Sequence, residues 1–258
     1  METLSVLGGL LVVLDRRQEA LASFDEAAAL FRQLGDRESE ASMRLEKLEA
    51  LEALARLERG ESPETALAHY REARDLARKL GDRAKESDLL NSMGITDWRR
   101  GHFAAALAHY EEALLICEEL GDTGHRGLLL NSLGVTLKDM GRLDEARAHL
   151  EEAVEVNRKS LRQTLEGHSL AALGDVLSRQ GDSDRALDHY RISLQIRRAA
   201  GDLKGEGWML WSIARERLGR GEADSARDAC SRAAEVAREC GDSELERVAG
   251  ELFSRMAS

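Results

Sequence analysis

A Gly-Asp pair returns along this chain at a fixed step, and that periodicity limits the fold more than any other feature. It occurs at Gly35-Asp36, Gly81-Asp82, Gly121-Asp122, Gly201-Asp202 and Gly241-Asp242. From Gly81 onward the step is 40 residues, with Ser160-Leu161-Arg162 standing where one pair is missing; the first interval is 46. Other landmarks keep the register. Ala20, Ala66, Ala106, Ala146, Ala186 and Ala226 are followed four residues later by Phe24, Tyr70, Tyr110, Leu150, Tyr190 and Cys230. Three further on lie Ala27, Ala73, Ala113, Ala153, Ser193 and Ala233. A second series, Gly8, Gly94, Gly134, Gly174 and Ala214, comes earlier in each unit, and the last four precede the loop glycines Gly101, Gly141, Gly181 and Gly221 by seven residues. A period of this length marks stacked units that bury themselves only against their neighbours.

The units are helical. Ala, Leu, Glu and Arg dominate, β-branched residues are sparse, and Pro63 is the only proline, a composition of good helix formers. Each unit therefore reads as an antiparallel pair, helix A then helix B. Small residues at fixed points let the two helices approach, and the large residue four positions later fills the gap. The loop glycine lets helix A end. In the Gly-Asp pair, Gly can take the left-handed conformation that closes helix B, and Asp can cap the next helix A. An altered turn is expected at 160–162, because a left-handed residue other than Gly costs about 1–2 kcal/mol.

Met93-Gly94, Leu133-Gly134 and Leu173-Gly174, the loop glycine, and the Ala-x-x-x-Tyr-x-x-Ala that follows resemble the tetratricopeptide repeat over nearly the whole chain. The period is about one helical turn longer than the usual ~34 residues. In this it resembles the repeats of kinesin light chain, of the Pins/LGN spindle-orientation adaptors and of bacterial MalT-like signalling ATPases. The resemblance implies an all-α fold, a right-handed α-α superhelix or TPR solenoid. The expected organisation is one domain over 1–258, with repeats at about 1–36, 37–82, 83–122, 123–162, 163–202 and 203–242. In the second repeat, helix A spans Arg37 to Glu58 with roughly five extra residues. Its Met43, Leu45, Leu48, Leu51, Leu54 and Leu57 occupy more than one face. Packing on both sides is the favoured reading, and a ridge closing one end of the groove is the alternative. Ser62-Pro63 begins helix B as N-cap and first-turn proline.

The ends differ. A helix at 243–257 places Leu245, Val248, Ala249, Leu252, Phe253 and Met256 on one face, as a terminal cap requires. The apolar stretch Leu4 to Leu14 has no basic leader and is shorter than the ~20 residues of a spanning helix, so it reads as core helix. Val6, Leu11, Val12 and Val13 extend beyond its inner stripe. A chain cut from a longer one, or self-association through this N-terminal helix, would account for them.

Stacked hairpins curve, and their A helices line the concave side. Helical spacing puts Asp88, Asn91, Ile95, Trp98 and Arg99 on the groove face of the third repeat, and Leu128, Asn131, Val135, Lys138 and Asp139 on that of the fourth. The fifth offers His168, Ala171, Asp175, Ser178 and Arg179, and the sixth Trp208, Trp211, Arg215 and Leu218. From these, Asp88, Asn91, Ile95, Trp98, Arg99, Asn131, Val135, Lys138, His168, Arg179, Trp208, Trp211 and Arg215 are the candidate partner-binding residues. All three tryptophans fall on this face, and large exposed aromatics mark binding surfaces. The alternative for Trp208 and Trp211 is burial against a neighbouring A helix or the terminal cap. In the families resembled, groove asparagines hold the backbone of an extended peptide; here only Asn91 and Asn131 match, their counterparts being Leu51, Ala171 and Trp211. The chaperone-type carboxylate clamp has no counterpart, since its Asn positions hold Ile95, Val135 and Asp175.

No phosphate loop, zinc spacing or hydrolase motif appears, so neither enzymatic activity, metal nor cofactor is expected. His69, His109 and His189 recur just before the helix-B position, about 10 Å apart by helix packing, too far for one ion. They read as solvated residues of the convex face, and Glu111-Glu112 and Glu151-Glu152 as surface charge. A net charge of −11 counts against nucleic acid and an anionic membrane and favours a basic or neutral protein segment. Cys117, Cys230 and Cys240 form no C-x-x-C pair, which fits reduced thiols in the cytoplasm. The leading expectation is a non-catalytic module that binds a peptide or helix of a partner protein. The alternatives are a sensor or oligomerisation arm of a larger bacterial regulator, and a self-assembling scaffold.

Overall fold

The computed structural model describes residues 17–256. The apolar N-terminal stretch, with Gly8 and the self-association expected of it, lies outside the described residues. These are all-α: twelve helices and no strand. They belong to two compact units, divided between Asp122 and Thr123.

The first unit holds α1 (Arg17–Leu34), α2 (Arg37–Glu58), α3 (Pro63–Leu80), α4 (Arg83–Arg99) and α5 (Phe103–Leu120). The second holds α6 (Thr123–Asp139), α7 (Leu143–Lys159), α8 (Gln163–Arg179), α9 (Ser183–Ala199), α10 (Leu203–Gly219), α11 (Ala223–Cys240) and α12 (Ser243–Arg255). Within each unit every helix packs on the next in sequence; in the second, the A helices α6 and α8 also touch, as do α10 and the terminal α12. This is an arrangement of stacked helical hairpins.

The hairpins close where the second glycine series crosses helix B. A Cβ on Gly134 would lie 2.5 Å from Leu150, and one on Gly174 2.6 Å from the ring of Tyr190. Gly94 faces the Tyr110 ring in the same way. Tyr70, Tyr110, Leu150 and Tyr190 are fully buried, as are Ala66, Ala106, Ala146 and Ala186 beside them. The missing side chain on one helix is thus the space that the large side chain on the other occupies.

Nine turn glycines, the first Gly35 and the last Gly241, have positive φ. Asp36, Asp82, Asp182, Asp202 and Asp242 each accept the backbone N–H three residues on, the capping geometry of a short acidic side chain. Ser62 takes the N-cap position before Pro63, but its hydroxyl makes no capping bond.

The expected alteration at 160–162 does not occur. Leu161 takes φ +57, and among the described residues it alone does so without being glycine. The turn keeps the hydrogen bonds of its siblings, Leu161 N–H to Arg158 O and Arg162 N–H to Asn157 O, as Gly201 N–H bonds Arg198 O and Asp202 N–H bonds Arg197 O. Packing of α7 and α8 imposes the turn, and the backbone accepts the strain. Leu161 itself is 86% exposed.

An ion pair missed in the sequence crosses several turns. Arg32 reaches Glu40 at 2.7 Å, Arg158 reaches Glu166 at 2.8 Å and Arg198 reaches Glu206 at 2.6 Å, with Arg78 and Glu86 paired likewise. The eight-residue spacing joins the last turn of one B helix to the first turn of the next A helix. Glu86 is wholly buried and is also held by Arg83 at 2.5 Å, so its charge is compensated rather than stranded.

The long α2 buries Met43, Leu48, Leu51 and Leu54, whereas Leu45 and Leu57 are exposed. Packing on two sides thus accounts for four of these six residues. The cap helix α12 buries Leu245, Ala249 and Leu252 but leaves Phe253 exposed.

Leu161→Gly is expected to stabilise the chain by about 1 kcal/mol, the relief of left-handed strain less the entropy gained by the unfolded chain. Gly94→Ala is expected to destabilise it by about 1–3 kcal/mol through overpacking against Tyr110. Urea denaturation midpoints measure both, and equal midpoints for the two variants would contradict this account of the packing.

Candidate functional site

In the second unit, the face that α8 and α10 turn inward carries a connected polar network. Asp175, midway along α8, accepts a hydrogen bond from the Tyr190 hydroxyl at 2.8 Å and an ion pair from Lys138 of α6 at 3.3 Å. Arg215 of α10 approaches it at 3.9 Å and donates to the Tyr190 oxygen at 3.4 Å. Burial, reinforced by the Asp175 charge, holds the Tyr190 phenol well above its ordinary pKa, so it stays a donor. Ser178 donates to Glu216 at 2.6 Å, and Arg179 to the backbone oxygen of Lys138 at 2.9 Å.

Aromatic groups complete the wall. Trp208 and Trp211 meet edge to face with centroids 5.7 Å apart, and the Arg215 guanidinium lies over Trp211 at 4.9 Å. Their indole N–H groups donate to Asp242, at 3.1 Å, and to the Val248 oxygen, at 3.4 Å. The two rings are thus braced on the cap helix, the alternative weighed for them, yet each remains half-buried. Together with Asp175, Ser178, Arg179, Met209, Ser212 and Arg215 they line a pocket of about 380 Å³. That volume matches side-chain or small-ligand recognition.

The predicted candidates divide accordingly. Lys138, Arg179, Trp208, Trp211 and Arg215 come together in this network. Val135 and Asn131 lie half-buried on α6, and His168 is exposed on α8. In the first unit, Asn91 is nearly buried on α4, Ile95 and Trp98 are half-buried, and Asp88 and Arg99 are exposed. The Oδ1 atoms of Asn91 and Asn131 are both buried without a hydrogen-bond partner. Leu51, the counterpart of these asparagines in α2, is wholly buried.

Asp175 was placed on the groove face but not among the candidates, and Tyr190 and Glu216 were missed. The signal lay in the repeat itself: Asp175 and Arg215 occupy the position that is apolar in Ile95 and Val135. A charge arriving where the pattern is apolar marks a site with its own chemistry.

The three recurring histidines are only partly solvated. His69 contacts Glu58 at 2.8 Å and His109 contacts Asp97 at 3.4 Å, while the Nδ1 of His189 is buried without a partner. Each is half-buried, because the residue before the helix-B tyrosine is drawn towards the end of helix A. Burial pushes His109 and His189 below the ordinary value of 6.5. Among the described residues no cluster of three or more His, Cys, Asp or Glu side chains is arranged to hold a metal ion. Cys117, Cys230 and Cys240 are free thiols.

With this geometry, the sequence profile of the tetratricopeptide repeat matches residues 46–119 and 124–199. The chain belongs to that family. No curated protein sequence matches it significantly. Among solved structures, it resembles aspartyl phosphate phosphatase F from Bacillus subtilis (TM-score 0.76, 14% identity, 86% of this chain). It spans 58% of the length of that protein. It also resembles BtubC from P. vanneervenii (TM-score 0.69, 21% identity, 88% of this chain and 92% of that one). A Rap protein complexed with Competence and Sporulation Factor is similar as well (TM-score 0.70, 14% identity, 99% and 84%). At these identities the likeness is one of fold.

Folded-state pKa values below the unfolded ones mean that His109 and His189 stabilise the fold fully above about pH 6.5. That contribution is lost as pH falls towards their folded values, where the unfolded chain binds more protons. Urea midpoints are therefore expected to fall from about pH 7 to pH 5.5. A His109→Gln, His189→Gln double variant should lose part of that slope, and an unchanged slope would contradict the assignment.

Proposed function

We propose that this chain is a non-catalytic protein-interaction module, which binds an extended peptide segment of a partner on the inner face that the A helices present within a unit. The observation that carries the reading is the pocket walled by Trp208 and Trp211. Half-buried aromatics beside a polar rim supply the anchoring that interface hot spots require. The unpartnered amide oxygens of Asn91 and Asn131 add to it. A buried acceptor without a partner has about 1–3 kcal/mol to gain by turning to a peptide N–H. The complex of a similarly folded Rap protein with Competence and Sporulation Factor is consistent with this use of the fold. Among the described residues no helix is long and apolar enough to cross a membrane, and the free thiols suit a reducing cytoplasm.

A second reading is a sensor or oligomerisation arm of a larger regulator: the chain spans 58% of the phosphatase it resembles, against 92% of BtubC. The reading frame upstream of Met1 decides it: a fused catalytic domain supports the arm, and an in-frame stop removes it.

Peptides selected from a random displayed library against the purified chain test the main proposal. Asn131→Ala and Trp211→Ala are each expected to weaken the selected peptides by about tenfold, or 1.4 kcal/mol, with helicity by circular dichroism unchanged. Trp98→Ala applies the same test to the first unit. Peptides that bind all three variants as tightly as the parent would remove the inner wall as the site.

A further inference from the structure

We infer that the Trp211–Asp175 corner of the pocket is a site for a basic side chain of the bound peptide, and that Arg215 occupies it as an internal placeholder. The inference rests on the inner-wall reading and goes further by naming the chemistry of the ligand.

Trp211 offers a ring face and Asp175 a carboxylate, the two elements that bind a guanidinium or ammonium best. In the free chain the Arg215 guanidinium lies over that face at 4.9 Å. It is held loosely, 3.9 Å from Asp175 and 3.4 Å from the Tyr190 hydroxyl, with 39% of its side chain exposed. The partly buried arginine of the neighbouring repeat turn grips its carboxylate more closely, Arg197 lying 2.5 Å from Asp202, as do Arg158 at 2.8 Å from Glu166 and Arg198 at 2.6 Å from Glu206. The exposed Arg185 and Arg227, by contrast, stand 3.5 Å from their carboxylates. Asp175 does not depend on Arg215 for its orientation, since Tyr190 and Lys138 already hold it at 2.8 and 3.3 Å. A ligand cation can therefore displace Arg215 into solvent without unseating the carboxylate.

The pocket has room for the exchange, at about 380 Å³, and the Ser178 and Ser212 side chains beside it supply further acceptors for a guanidinium. The net charge of −11 favours approach of a basic segment at long range. Lys138, already paired to Asp175, opposes the incoming charge and sets a modest affinity. An ordinary packing role for Arg215 and a placeholder role predict opposite signs when the side chain is removed.

The test uses fluorescein-labelled heptapeptides identical except for a central Arg, Gln, Glu or Leu, with anisotropy measured on the full chain. The Arg peptide is expected to bind about tenfold more tightly than the Gln peptide, and Arg215→Ala to tighten it about three- to tenfold further, as an unmasked cation–π face allows. Asp175→Asn, which keeps an acceptor for Tyr190, should weaken the Arg peptide to the level of Gln without changing the melting temperature. Weaker or unchanged binding by Arg215→Ala overturns the placeholder. Preference for Leu or Glu that still depends on Trp211 overturns the basic ligand while leaving the inner-wall reading intact. Binding insensitive to both the central residue and Trp211 removes the two readings together.

Discussion

Everything in this structure depends on how closely helix A comes to helix B. The contact is a backbone laid against a large side chain, Gly134 on Leu150 and Gly174 on Tyr190, with Gly94 on Tyr110 in the first unit. Because the space is filled by one residue from each helix of a hairpin, the pair packs as a block, as close-packed interiors do. Burial of Tyr190 against Gly174 also delivers its hydroxyl to Asp175 at 2.8 Å. The same packing that builds the repeat thus orients the carboxylate at the centre of the candidate site.

The turns show what this rigidity imposes. Nine are closed by glycine at positive φ, and a further one holds Leu161 in the same conformation. Hairpin packing dictates the turn, and sequence adapts where it can. The Arg–Glu pairs eight residues apart span several turns, as between Arg198 and Glu206. Individually such partly exposed pairs contribute about 1 kcal/mol or less. Their effect is to orient successive hairpins rather than to drive folding.

On the inner wall, the molecule departs from simple repetition. Ile95 and Val135 are succeeded by Asp175 and Arg215 at the same repeat position. The wall of the second unit is partly filled by its own charges, with Lys138 and Arg215 both directed at Asp175. An open groove lined by independent side chains is therefore an incomplete description. A wall whose charges are in part already paired is the better one.

Much of this was legible in the residues. The period, the Gly-Asp punctuation and the Ala-x-x-x-Tyr spacing identify the hairpins, their glycine contacts and the span of α2, because local conformation and helical spacing depend on near neighbours in sequence. The expectation that the tryptophans share one face of the A helices followed from the same spacing. What the sequence could not decide depends on side chains from different repeats meeting in space. Trp208 and Trp211 are braced on Asp242, the N-cap of α12, and on Val248 within it, each more than thirty positions away, the histidines are half-buried, and Leu161 yields to packing that no local preference reveals. The sequence alone determined a stack of helix pairs with an inner face. Tertiary structure decided which of that face's charges are already paired, since pairing is set by distances between helices and not by order along the chain.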